Sequence, residues 1–207
     1  MRLLAILLLL ACASPSYANS SGDWRFRVLL DGREIGSHSY TLEPAGEGAL
    51  LRSEARFEVK FLFVTAYTYE HDAVERWQGG CVRSLESRTE SNGARSAVNA
   101  MTGNGGLAVA RPEGRDLHAG CVMSFAYWDP RILGADRLLN SQTGELVPVQ
   151  VTAQGQEAFA VRGEPRTASR YRISGRELQI DLWYADGNWV GLEALADGGR
   201  RLRYELQ

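Results

Sequence analysis

Residues 57–93, FEVKFLFVTAYTYEHDAVERWQGGCVRSLESRTESNG, decide the fold class. From Phe57 to Trp77 the odd positions Phe57, Val59, Phe61, Phe63, Tyr67, Tyr69, Ala73 and Trp77 are apolar or aromatic. The even positions Glu58, Lys60, Thr68, Glu70, Asp72 and Arg76 are polar. Side chains alternate across a strand, so a period of two argues for a strand buried on one face. The pattern reads as one long strand to Trp77, a turn at Gln78-Gly79-Gly80, and a return strand that closes at Asn92-Gly93. A strand that long is expected to bend near Val64-Thr65-Ala66, where the outward positions Leu62, Val64 and Ala66 turn apolar. Two odd positions break the pattern. His71 and Glu75 place ionisable groups on the apolar face.

The same period extends outward from this stretch. Trp24, Phe26, Val28 and Leu30 alternate ahead of Asp31-Gly32, a hairpin signal because both central positions favour positive φ. Downstream, short alternating runs are separated by Asn104-Gly105-Gly106, Thr143-Gly144, Asp186-Gly187 and Asp197-Gly198-Gly199, with Pro112–His118 read as loop. Cys121–Trp128 alternates with both sides largely apolar, which predicts a strand covered on both faces. Asp129-Pro130 opens the one plausible helix, a turn or two at most, because Asp129 can cap it and Gly134 weakens it. About a dozen short strands with tight turns predict an all-β fold: a large curved antiparallel meander, open or half-barrel-like. Trp24, Phe57, Phe61, Tyr67, Tyr69, Trp77, Phe125, Trp128, Trp183 and Trp189 would supply its concave face.

Composition places limits on function. The chain has 207 residues, 44% hydrophobic and 23% charged, with a net charge of −2 and scattered arginines. That gives no electrostatic footprint for nucleic acid. Arg2, the apolar run Leu3–Ala11 and the small-x-small site Ser16-Tyr17-Ala18 read as a signal peptide over residues 1–18, leaving 19–207 as one β domain. The run is too short to span a membrane, which needs roughly 20 apolar residues. The expected location is therefore periplasmic or secreted. Leu9-Leu10-Ala11-Cys12 also resembles a lipobox, which would instead make an outer-membrane lipoprotein acylated on Cys12. In an oxidising compartment Cys81 and Cys121 remain as an even pair, the composition of a structural disulfide.

Chemistry-bearing motifs are few. There is no Gly-x-Ser-x-Gly elbow, no His-Glu-x-x-His and no phosphate-cradling loop, so no catalytic residue, metal site or cofactor is assigned. His71 and Glu75 share a face but lie roughly 13 Å apart along a strand, so each needs a cross-strand partner. Tyr127-Trp128-Asp129-Pro130 and Asp181-Leu182-Trp183-Tyr184 set aromatics beside carboxylates. The candidate ligand-binding residues are Phe61, Tyr67, Tyr69, His71 and Glu75, with Trp77, Tyr127, Trp128 and Trp183. They point to a non-catalytic binding protein that holds a lipid or other apolar or amphipathic small molecule against the concave sheet. Two other expectations compete: an envelope carbohydrate-active enzyme using His71, Glu75 or Asp129, and a module that offers a sheet edge to an envelope protein partner.

Several ordered segments resemble an exported bacterial family catalogued as a domain of unknown function. They are Leu30-Asp31-Gly32-Arg33-Glu34-Ile35-Gly36, the run from Tyr69 to Trp77, Phe125-Ala126-Tyr127-Trp128-Asp129-Pro130, Leu139–Gly144 and Asp181-Leu182-Trp183-Tyr184. The resemblance implies a secreted, mostly antiparallel β protein and carries no activity. A looser architectural likeness to the open half-barrels of lipoprotein carriers implies a concave sheet that could hold acyl chains.

Overall fold

The computed structural model describes residues 21–61 and 64–207, so the expected signal peptide, the expected lipobox at Cys12, Leu62 and Phe63 lie outside the described residues. The strands are β1 (Gly22–Leu30), β2 (Arg33–Ala45), β3 (Gly48–Phe61), β4 (Val64–Gln78), β5 (Cys81–Ser91), β6 (Ala94–Gly103), β7 (Gly106–Arg111) and β8 (Gly114–His118). They continue with β9 (Arg137–Leu139), β10 (Leu146–Pro148), β11 (Gln150–Val161), β12 (Glu164–Gly175), β13 (Leu178–Ala185), β14 (Asn188–Ala196) and β15 (Arg200–Leu206). Thirteen of them form one antiparallel sheet in the order β11-β12-β13-β14-β15-β1-β2-β3-β4-β5-β6-β7-β8. The sheet curls without closing. The β1–β15 pair, running from Phe26↔Leu206 to Leu30↔Leu202, joins the C-terminal strands to the N-terminal ones, and the free edges are β8 and β11.

The long central strand of the sequence reading is in fact a hairpin. β3 and β4 pair antiparallel, Phe57 opposite Tyr69 and Ala55 opposite His71. Opposite residues of an antiparallel pair share a face. From Ala49 opposite Trp77 to Val59 opposite Tyr67 odd numbers face odd numbers, so both strands bring their odd residues to one face. No Gly, Pro, Asn or Asp marks the reversal, which is why the residues read as one strand. The expected bend becomes a register shift between Val59 and Lys60. Residues 114–118, read as loop, are edge strand β8.

A closed barrel of about eight strands is filled by its own side chains, and wider sheets leave a lumen. This sheet is wider, and the chain fills the lumen itself. Between the two edges, residues 119–149 run through the concavity rather than around it. The Cys81–Cys121 disulfide (S–S 2.05 Å) ties the start of this inner segment to β5, beside the Val82 N–H···O=C Val122 bond of 2.8 Å. Leu139 N–H donates to Met123 O (2.8 Å) and Phe125 N–H to Leu139 O (3.2 Å), while Tyr184 Oη donates to the Tyr127 carbonyl (2.7 Å). Residues 121–128 are therefore not the expected strand: a single bridge, Ser124 to Leu139, is all the ladder they make. Val122 and Ala126 are buried, and Met123, Phe125, Tyr127 and Trp128 are half-buried.

The short helix is a 3-10 turn, Pro130–Gly134, capped as expected by Asp129, which accepts from Arg131 N–H. Val122, Ala126, Ile132, Leu138 and Leu139 of the inner segment join Phe26, Val28, Leu51, Trp77, Leu85 and Val98 from one limb of the sheet and Ile173, Leu182 and Trp189 from the other. One core thus holds both limbs around the segment. Fully burying each such side chain stabilises the fold by about 1.5–3 kcal/mol.

Candidate functional site

The inward residues of β4 meet the inner segment at its open side. There the packing leaves a cavity of about 220 Å³. Its walls differ in chemistry. Leu178, Ile180, Leu192, Ala194 and Leu202, from β13, β14 and β15, form an apolar wall. The rest of the lining carries the polar groups: His38, Tyr40, Ser53, His71 and Glu75 from β2, β3 and β4, Ser124, Tyr127, Asn140 and Ser141 from the inner segment, and Tyr204 from β15, with Leu51, Ala73 and Phe125 among them. Gln142 is exposed and Leu178, Ala194 and Leu202 are half-buried, which places the mouth on that side.

Two histidines and a carboxyl group line the cavity, each buried and each hydrogen-bonded. His38 Nε2 lies 2.8 Å from Ser53 Oγ, and its Nδ1 lies 3.1 Å from Tyr40 Oη and 3.2 Å from Tyr204 Oη. An uncharged ring meets these partners by donating at one nitrogen and accepting at the other. Burial, and behind it the neighbouring His71, pushes His38 down to about 3. His71 Nδ1 is 2.9 Å from Thr89 Oγ1 and Nε2 is 3.3 Å from Ser141 Oγ. Burial pushes it down to about 4. Glu75 is 5% exposed. Its Oε2 accepts from Trp77 Nε1 (2.9 Å) and Ser124 Oγ (2.7 Å). Burial pushes its pKa up to about 7, with those two bonds pulling the other way. Desolvation disfavours whichever form is charged, so it moves the histidines and the carboxyl in opposite directions.

Residues 26–207 match the model of a family described as a domain of unknown function, DUF6134. The chain belongs to that family. No curated protein matches it. Among solved structures it is similar to a β-barrel-like protein of another domain of unknown function, DUF1849, from Brucella abortus. The likeness has a TM-score of 0.67 at 12% identity and covers 91% of this chain and 96% of that one, so it bears on the fold alone.

Within this DUF6134 chain the other candidates scatter. Tyr69 stacks on Phe57 with ring centroids 5.2 Å apart, and both line a second, open trough of about 1110 Å³ among the ends of β1 to β4. Phe57 is also 6.3 Å from the His38 ring and 6.4 Å from Tyr204, so the stacked pair stands between trough and cavity. Tyr67 is exposed, bonded to Ser91 Oγ at 2.8 Å, and lines neither hollow. Phe61 ends β3, and its side chain lies outside the described residues. Trp77 and Trp128 form an edge-to-face pair (5.5 Å) behind Glu75.

Trp183 corrects the sequence reading, because it points to the opposite face of the sheet from its neighbours Leu182 and Tyr184. There it stacks on Phe159 (4.6 Å), in a separate cluster with Ala168, Ala185 and Val190. The tip of the β11–β12 hairpin folds over the outside of β13 to β15, and Arg162 Nε donates to Gln207 O at 3.0 Å. The packing depends on Gly191, where a Cβ would come within 2.3 Å of the Phe159 ring. Gln179 and Asp181 share the parity of Trp183, and Asp181 meets Arg170 and Arg172 on that outer face.

Of the three residues expected for a carbohydrate-active enzyme, His71 and Glu75 line the cavity together and Asp129 does not. Asp129 is committed to Arg131 and its capping role, away from the cavity. Among the described residues no cluster of His, Cys, Asp or Glu is placed to hold a metal, and no helix is long and apolar enough to cross a membrane. His38, Ser124 and Tyr204 were missed by the sequence reading. His38 faces the same way as Phe26, its partner across β1–β2, and that register could have flagged it.

Proposed function

We propose that this chain is an exported, non-catalytic binding protein that holds a small apolar or amphipathic molecule in the cavity between the inner segment and the curled sheet. The observation that carries the reading is the cavity's division into a leucine-rich wall and a hydrogen-bonding wall, which suits a molecule with one apolar and one polar end. At about 220 Å³ it has roughly the room of seven waters, so the occupant is compact rather than a long acyl chain. The Cys81–Cys121 disulfide is compatible with an oxidising compartment and supports the exported location.

Native mass spectrometry of gently purified protein tests this directly. The expected result is a small-molecule adduct that is released on denaturation. Ala194→Trp, on the half-buried rim of the cavity, is expected to abolish the adduct while leaving the far-UV circular dichroism and the melting temperature near those of the parent. If the parent carries no adduct, and small amphiphiles fail to shift NMR signals of cavity residues, the reading is wrong.

A further inference from the structure

Glu75 gives the cavity a chemical preference. Both of its hydrogen bonds reach Oε2, and Oε1 accepts none among the described residues, although the side chain is 5% exposed and lines the hollow. That oxygen is left open to the hollow, where a ligand can supply a donor that the protein does not. Its neighbours across β3 and β5 are Leu51 and Leu85, both apolar. Among the described residues no arginine or lysine lines the cavity. The other titratable groups that face it are His38 and Tyr40 from β2, His71 from β4, Tyr127 from the inner segment and Tyr204 from β15. Burial keeps the histidines uncharged above about pH 4 and raises the tyrosines. The ionised carboxylate would be the only charge on the wall, and tyrosine rings stand beside it, a surface that attracts ammonium groups.

We propose that the cavity takes a small amphiphile bearing a protonated amine, its N–H on Glu75 Oε1 and its apolar part against Ile180, Leu192 and Leu202. This rests on the cavity being a binding site at all. A carboxylate ligand would meet Glu75 as a like charge, and an alcohol would gain a hydrogen bond to it without the ion pair. An alkylamine stays protonated to about pH 10. Binding therefore selects the ionised form of Glu75, and affinity rises with pH until that group has titrated, near 7.

The test is a titration of the purified protein, followed by NMR, with n-hexylamine, n-hexanol and hexanoate at about pH 8 and about pH 6. At the higher pH hexylamine is expected to bind about tenfold more tightly than hexanol, the scale of a charge-assisted hydrogen bond, with hexanoate weakest. At the lower pH most of that tenfold advantage is expected to vanish. Glu75→Gln is expected to level amine and alcohol while both still bind. Should that variant fail to fold, the pH profile of the unsubstituted protein decides alone. Equal, pH-independent binding of hexylamine and hexanol overturns the amine preference and leaves the small-amphiphile reading standing. No shift of the Leu192 and Ala194 signals with any probe overturns both.

Discussion

On the outer face of β13, Trp183 and Phe159 lie beneath a lattice of opposite charges. Asp181 is bonded to Arg170 (2.6 Å) and Arg172 (2.7 Å), Glu157 lies 3.6 Å from Arg170, and Glu193 is 3.3 Å from Arg203. Arg203 also covers the Phe159 ring at 4.9 Å. On the inner face of β4 another tryptophan and another buried carboxylate, Trp77 and Glu75, are bonded to each other with no cation at hand. The difference is access to water. An arginine can lay its stem over an outer ring and keep its guanidinium wet, whereas inside the curl there is no such route. Burial alone would raise Asp181, but Arg172 and Arg170 hold it below the usual carboxylate range. Glu75, with only neutral donors, is pushed up to about 7. The outer group is already neutralised. The inner one is left for something else to satisfy.

The strongest way to break this contrast is to release the inner segment. Cys81→Ser combined with Cys121→Ser opens a loop of 40 residues and is expected to cost on the order of 4 kcal/mol in urea denaturation. Amide exchange should show Val122 and Leu139 losing protection while Trp183 keeps its own. Uniform loss across both regions would mean that the segment is not separately pinned. Next in size is the outer cluster: Phe159→Ala should cost about 3 kcal/mol. If that change also altered ligand binding in the cavity, the two faces would not be independent.

The smallest effect sharpens the electrostatics. A carboxyl raised from 4.5 to about 7 on folding costs nothing when both states are protonated, and destabilises the fold progressively as pH rises from 4.5 through 7. Glu75→Gln cannot ionise, so it should lack this slope. By about pH 8 it should stand on the order of 1–3 kcal/mol above the parent in its urea transition, relative to their difference at about pH 4. His38 and His71 act in the opposite direction. Below about pH 6.5 the unfolded chain binds protons that the buried rings refuse, so both proteins weaken toward acid, down to about 4 for His71 and about 3 for His38.

What the sequence made legible follows from where a period of two carries information. It identified β4's inward face, including His71 and Glu75 as its exceptions, because one side of that strand is buried and the other wet. It failed where both sides are covered. Trp183 was assigned inward although Gln179 and Asp181, of the same parity, mark that face of β13 as the outer one, and residues 121–128 were read as a strand because a plug crossing a lumen is as apolar as a buried strand. The β3–β4 reversal was hidden by matching parity across the hairpin. The cavity itself joins β2, β4, β15 and the inner segment, and no local pattern encodes that meeting.

The pairing of β1 with β15 has a consequence of another kind. Phe26 finds Leu206 in the interior of the sheet, so the most distant strands in sequence form the seam between its two limbs. Each limb can assemble from neighbouring hairpins, but they join only once Arg200–Leu206 is in place, a long-range closure of the sort that slows folding. A cleavage just before Arg200 would not trim an edge. It would split the molecule along its spine.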